Sequence, residues 1–262
     1  MPLPAGALNE ILKDLINPEL SLMGLQQVQS SQIFDIIKEQ SPGLWAWLQS
    51  LPWWAWAAAI AVIVAIIVGA MVVRMFIIQA ALAAKGITAS KGQIWSLLWQ
   101  GYSNQSIEYI LSVAGVQASQ GQSFTRRRRR GSYTAYGHGM NHVTIGDPAT
   151  KDAAMYAAVA SGTKPTETTF PDLATAQKAA NYAIAHNSGL QTFIDTGAPN
   201  SEAWATVDLP PALGRNCYGY TYDSTLPPPH VRKIGPPLKR VRIGLFKDAS
   251  GRVYIFDIYP TQ

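Results

Sequence analysis

At 262 residues, 48% of them hydrophobic, the chain is long enough for one or two domains, each with its own core. Its charged share is only 14%, against roughly a quarter in ordinary soluble proteins, which points to membrane or assembly contacts. The single cysteine, Cys217, excludes an internal disulfide framework and a cysteine-based zinc site, and its ordinary role is that of a small buried residue. The net charge of +5 is unevenly placed: residues 76–130 carry seven basic side chains and one acidic, whereas residues 131–262 carry eleven and ten. A nucleic-acid or anionic-membrane signal therefore belongs to the middle of the chain, and the C-terminal half is nearly neutral.

Taken in chain order, residues 1–50 show apolar side chains at helical spacing (Ile11, Leu15, Ile16; then Leu25, Val28, Ile33, Ile36, Ile37), broken at Asn17-Pro18 and Ser41-Pro42-Gly43. This pattern predicts two short amphipathic helices that lie on a membrane or pack on a partner.

The second segment, 51–119, opens with an uncharged run over residues 51–73, long enough at ~1.5 Å per residue to span a hydrocarbon core of ~30 Å. Pro52 suits a first helical turn, and Trp45, Trp47, Trp53, Trp54 and Trp56 gather at one end as an interfacial belt does. The run is internal and some fifty residues precede it, which argues against a cleaved signal peptide. Arg74, Lys85 and Lys91 on the C-terminal flank outnumber Lys38 on the other, so the charge bias puts the C-terminal domain on the cytoplasmic side of a single-pass protein. Apolar helical stretches separated by Gly86 and Gly101 follow as far as residue 119.

Residues 120–132 include five consecutive arginines, Arg126–Arg130. Mutual repulsion reads as an extended, solvated linker; the functional alternatives are an RNA-phosphate clamp, a lipid-headgroup contact or a protease site. A domain boundary is expected near residue 131.

Residues 133–262 read as α+β. Helices are predicted over 149–160 and over PDLATAQKAANYAIAHN, the latter stopping at Asn187–Gly189. KRVRIGLF and RVYIFDIYP alternate around the turn 247–251 and predict a closing hairpin. The proline-rich stretch 208–238 between them reads as long loops.

Three landmarks, GHGMNHV, TTFPDLATAQKAANYAIAHN and VRIGLFKDASGRVYIFDIYP, resemble those of the bacterial RNase A-like toxin domain that ends many contact-dependent inhibition proteins and related secreted toxins. The resemblance covers about half the chain. It implies a kinked antiparallel sheet with N-terminal helices, and a metal-independent ribonuclease that needs no cofactor. It also implies an RNA substrate (tRNA foremost), a cognate immunity protein, and secretion or delivery machinery that carries the toxin into a target cell, where RNA is cut in the cytoplasm. Such chemistry needs a base for the ribose 2′-OH, stabilisation of the phosphoryl charge and an acid for the leaving 5′-oxygen; histidine, with an ordinary pKa of ~6.5, suits the first task.

By the resemblance, the family's histidine falls on His142, with His138 sharing the loop, and its terminal tyrosine falls on Tyr259. Where the family carries a threonine this chain has Asp257, and no arginine stands in residues 143–160, Lys151 being the nearby cation. Lys151 and the trio Lys239, Arg240 and Arg242 are the candidate phosphate contacts. His186, at a helix end, and His230, after three prolines, read as structural. The two departures leave a catalytically altered domain, acting as a binding or structural module of a secretion or phage-like assembly, as the alternative. A nucleotidyl- or ADP-ribosyl-transferring toxin is a third reading, although nothing in the sequence asks for NAD.

Overall fold

The computed structural model describes residues 42–50, 52–120, 123–128, 131–137 and 139–262. The amphipathic helices expected before residue 42 and His138 lie outside these residues, as do the side chains of the tryptophan belt. The chain divides between Glu108 and Tyr109 into two compact units.

The first unit is helical. Helix α1 (Pro42–Ser50) is followed by the 32-residue α2 (Trp53–Ala84), by α3 (Lys91–Trp99) and by α4 (Asn104–Ser112), which runs across the boundary. Pro52 sits immediately before α2 in extended conformation, where its missing N–H costs nothing. No proline follows before Gly86, and Gly69 is carried within the helix, so it continues past Val73, where the uncharged run ends. It stops where Gly86 takes a φ of +71° and the N–H of Ile87 reaches back to the Leu82 carbonyl at 2.9 Å.

Val64, Val68, Met71, Met75, Ile78 and Leu82 form a buried stripe along α2, yet Ile66 is 65% exposed and Val62, Val73, Phe76 and Ile77 are also exposed. A soluble core helix buries its large aliphatics; a helix that is apolar on every side suits a bilayer. Ala61–Ala84 is long and apolar enough to cross one, its 24 residues covering ~36 Å against ~30 Å of hydrocarbon. Its one charge, Arg74, donates from Nε to Asn104 Oδ1 at 2.8 Å and from Nη2 to the Tyr102 carbonyl at 3.1 Å.

The second unit is mixed α and β. In chain order it contains β1 (Val113–Ala114), a 3-10 turn (Val116–Ser119), β2 (Ser123–Arg128), β3 (Gly131–Tyr136), a second 3-10 turn (Gly139–His142) and α5 (Pro148–Ala160). Then come β4 (Thr166–Thr169), α6 (Leu173–His186), α7 (Ser188–Thr196), β5 (Ser201–Asp208), α8 (Pro211–Gly214), β6 (Tyr218–Tyr222), β7 (Val231–Ile234), β8 (Arg240–Lys247) and β9 (Val253–Thr261). The main sheet has the order β1-β9-β8-β5, a second sheet runs β4-β6-β7, and β2 and β3 form a separate hairpin.

Each larger sheet has its own helix. Ala176, Ala179, Ala180 and Ala183 of α6 are all buried, and side chains this small let the helix lie close over β8 and β9, where Val241, Ile243, Ile255 and Ile258 are buried. Helix α5 covers the second sheet through Met155 and Val159, which pack on Tyr220. Asp147 caps α5 by accepting from Ala149 N and Thr150 N, and Asp172 caps α6 by accepting from Thr175 N at 2.6 Å. The helix stop expected at Asn187–Gly189 is real but short-lived: Asn187 accepts from Leu190 N at 3.0 Å and so starts α7.

Three expectations are corrected. The domain boundary lies not near residue 131 but between Glu108 and Tyr109, because β1 pairs in parallel with β9 (Val113 opposite Val253) and Val116 is fully buried. The segment 120–132 is accordingly not a free linker: β2 and β3 pair antiparallel, with Phe124 opposite Ala135, Arg126 opposite Tyr133 and Arg128 opposite Gly131. The proline-rich stretch 208–238 likewise is not all loop, since α8 begins on Pro211 and β6 and β7 lie between its prolines. We expect Asp172→Ala to lower the stability of the second unit by about 1 kcal/mol in a denaturant titration, with Asp172→Asn losing far less.

Candidate active site

The His-Val pair of the first landmark is held against the end of β4. Val143 and Phe170 form a parallel bridge, and both side chains are buried. Around them the Phe170 N–H donates to the His142 carbonyl at 2.8 Å and the Thr144 N–H to the Phe170 carbonyl at 2.9 Å. Thr169 Oγ1 also donates to the His142 carbonyl, at 3.2 Å. The valine is thus the anchor that fixes the histidine beside it. Lys151, from the first half of α5, donates from Nζ to the Asn141 carbonyl and braces the same turn.

The ring of His142 is oriented by β4. Its Nδ1 lies 3.1 Å from the Thr168 carbonyl, and a carbonyl can only accept, so Nδ1 carries the proton in the neutral ring and Nε2 is left with the lone pair. Nε2 lies 3.9 Å from Asp257 Oδ1, and the ring lies 5.2 Å from that of Tyr259, tilted by 41°. Three of the four residues expected to act chemically therefore meet at one place; the fourth, His138, lies outside the described residues.

Strand β9 brings Asp257 and Tyr259 to this place through a bulge. Gly244 of β8 pairs with Asp257, but the next residue, Leu245, pairs with Ile255, which leaves Phe256 as an extra residue. The slip changes the parity of the strand, so that Ile255 faces the α6 side while Asp257 and Tyr259 face the other. Gly244 admits the bulge: a Cβ there would come within 2.7 Å of the Phe256 ring.

A cleft of about 440 Å³ opens where the second sheet meets the end of β9, with His142, Tyr259, Lys164, Glu167, Thr168 and Gln262 in its wall. Glu167 is buried and paired with Lys164 at 2.8 Å. Thr168, also buried, donates from Oγ1 to the Pro260 carbonyl at 2.7 Å and ties β4 to β9. Lys164, Glu167 and Gln262 had no signal in the sequence; Thr168 stands inside the second landmark, where its part of a TTF string gave no hint of a separate role.

Electrostatically the site combines burial with opposed charges. Burial pulls the His142 pKa below its ordinary 6.5, and the neighbouring Asp257 carboxylate, the Thr168 carbonyl and Glu167 pull partly the other way. Burial raises the Tyr259 phenol above 10, with Arg242 opposing and Asp257 assisting, so the phenol keeps its proton at neutral pH. Burial lowers the Lys151 ammonium from 10.5.

The other candidate cations separate. Arg242 is paired across the sheet with Tyr259 and so stands beside the cleft, its guanidinium 5.1 Å from the Trp204 ring. Arg240 pairs with Asp208 at 3.7 Å and Lys239 is exposed; neither lines the cleft, and neither does Lys151. His186 stacks on Tyr182 at 4.0 Å, and the Nδ1 of His230 meets the Leu226 carbonyl, both structural arrangements. Cys217 is buried, which pushes its thiol up to about 12 and disqualifies it as a nucleophile. No group of three metal-ligating side chains occurs among the described residues.

A lowered histidine pKa has a consequence for stability. The unfolded chain takes up the His142 proton near 6.5 while the folded one resists, so this group's contribution is complete above 6.5. It is lost as pH falls from there toward the lower folded value. We expect a proton NMR titration to place His142 below 6.5, and Asp257→Asn, which removes the main opposing charge, to move it lower still. Compared with family models, with curated proteins and with solved structures, the chain matches none.

Proposed function

We propose that the second unit is a metal-independent ribonuclease of the RNase A-like toxin kind, joined to an N-terminal helical unit that anchors it in a membrane. The observation that carries this reading is that His142 and Tyr259 line one cleft, with the buried Asp257 carboxylate 3.9 Å behind His142 Nε2. In it, Nε2 of neutral His142 takes the proton of a ribose 2′-OH, and the resulting oxygen attacks the adjacent phosphorus while the bond to the 5′-oxygen breaks. The imidazolium formed on His142 is stabilised by the Asp257 carboxylate. Tyr259, protonated at neutral pH, gives its proton to the leaving 5′-oxygen, and Arg242 beside it supplies positive charge to the phosphoryl oxygens. Oriented groups of this kind contribute typically 10²–10⁴-fold each.

On this reading the protein is a toxin delivered by secretion machinery, its substrate is RNA (tRNA foremost), and a cognate immunity protein protects the producer. The C-terminal unit faces the cytoplasm if the apolar helix α2 spans, or enters it on delivery. A second reading rests on Asp257, whose buried carboxylate stands where the family resemblance implies a threonine and would repel a phosphate. It makes the unit an RNA-binding or structural module without turnover.

Two measurements test these statements. The detergent-solubilised full chain should cleave tRNA and total RNA in EDTA, and His142→Ala should reduce the rate by at least 10²-fold. Cleavage indifferent to that substitution would remove the mechanism, and RNA bound but never cut would favour the second reading. Carbonate extraction of membranes carrying the protein should leave it in the pellet; full release to the supernatant would end the spanning assignment.

A further inference from the structure

Helix α2 is longer than a bilayer is thick, so a membrane can sit on it at more than one level. Its 32 residues measure ~48 Å against ~30 Å of hydrocarbon. Centring the bilayer on Ala61–Ala84 puts Arg74 within ~3 Å of the midplane, where a cation is most costly. Starting it at Trp53, the first residue of the helix, ends it ~31 Å later at Val73 and leaves Arg74 at the surface.

The exposed side of α2 favours the second placement. Val62, Ile66, Val73, Phe76 and Ile77 are exposed, but the exposed side chains that follow in the helix are Ala80, Ala83 and Ala84, which offer little apolar area to lipid. The surroundings change at the same level. Met75, Ile78 and Leu82 of α2 are buried, α3 lies against the helix, and Ile94, Trp95, Leu97, Leu98 and Ile107 of α3 and α4 are buried too. Gln93, Gln100 and Gln105 are exposed, and Lys85 pairs with Glu108 at 2.7 Å. Apolar inside and glutamine outside is the pattern of helices packed in water, not in hydrocarbon.

Two cations mark the change. Arg74 is bonded to Asn104 and the Tyr102 carbonyl, and Lys91 Nζ lies 5.2 Å over the Phe76 ring. Arg74 and Phe76 are ~3 Å apart along the axis and ~160° apart around it, so the cations flank α2 at one height on opposite sides.

We propose that the lipid boundary crosses α2 at Arg74, and that Arg74, Lys91 and Phe76 form a collar for phospholipid headgroups. The two cations meet headgroup phosphates, and the ring enters the acyl boundary beneath them. The last two turns of α2 stand in water with α3. The collar rests on the spanning reading of α2 and assigns which part of the helix spans.

The test uses the full chain in vesicles of phosphatidylcholine and phosphatidylglycerol, with a nitroxide on one introduced cysteine at a time. Cys217 is buried with its thiol pushed up to about 12, so the parent serves as the unlabelled background. Power-saturation EPR reads whether each label meets oxygen, which concentrates in hydrocarbon, or a water-soluble nickel chelate. Oxygen should dominate at Val62→Cys, Ile66→Cys and Val73→Cys, and the chelate at Ala80→Cys and Ala84→Cys. Oxygen dominance persisting through Ala84→Cys overturns the boundary and puts Arg74 inside the bilayer, while the spanning reading stands. Chelate access at every position ends the spanning reading and the collar with it. Arg74→Leu and Lys91→Gln together should let the helix sink, moving Ala80→Cys to the oxygen side, whereas Arg74→Lys with Lys91→Arg should keep the parent profile. An unmoved profile in the leucine–glutamine variant overturns the collar.

Discussion

The carbonyl of His142 accepts the N–H of Phe170 while its ring bonds to the carbonyl of Thr168, so one residue is sewn twice to the same strand. Each such bond is worth only about 1 kcal/mol in stability, but together they decide which nitrogen bears the proton and where the other one points. Val143 and Phe170 make the seam rigid by filling the core beneath it, and Thr168 continues it to the Pro260 carbonyl on β9. A loosened seam would leave a histidine on a glycine-containing loop, which is an ordinary surface residue. With the seam, the imidazole is oriented by one sheet toward a carboxylate and a phenol carried by the other.

Strand β9 does the complementary work. It is the centre of the main sheet's apolar side, where Ile255 and Ile258 are buried, and it also presents Tyr259 to the cleft and Asp257 to His142. Strict alternation cannot serve both demands, because Ile255 and Asp257 would share a face. The extra residue at Phe256 resolves the conflict, and the cost is a β8 position that tolerates only glycine. Asp257, buried within the fold, stands 3.9 Å from the His142 Nε2.

Elements with local signals were legible in the sequence. The α6 helix shows as an alanine-rich periodic run, and the β8–β9 hairpin as two alternating runs around a polar turn. Pairings that join distant segments were not: nothing in Val113–Ala114 announces a strand, because its partner lies some 140 residues away. The arginine run was misread for a related reason. Repulsion within it is a local fact, whereas the uncharged strand that accommodates it is visible only once the chain turns back. In the site, His142 and Tyr259 stand in recognisable strings, but Lys164 and Glu167 enter the cleft through the packing of β4 on β9, which leaves no trace in composition or period.

The parallel pairing of β1 with β9 bears on what cutting the chain would achieve. A basic run between a long apolar helix and a folded unit invites the view that a trypsin-like protease frees the unit at the arginines. A cut there would sever the backbone but not the association. Everything from Tyr109 to the cut would stay with the helical unit, while Val113 and Ala114 remained hydrogen-bonded to β9 and Val116 remained buried beside the Gln177 side chain that accepts its N–H. The fragments would part only by pulling a strand from the sheet that carries the site. Release of a working domain therefore requires cleavage ahead of Tyr109, and a nick at the arginines yields a two-chain protein still tethered to its helix.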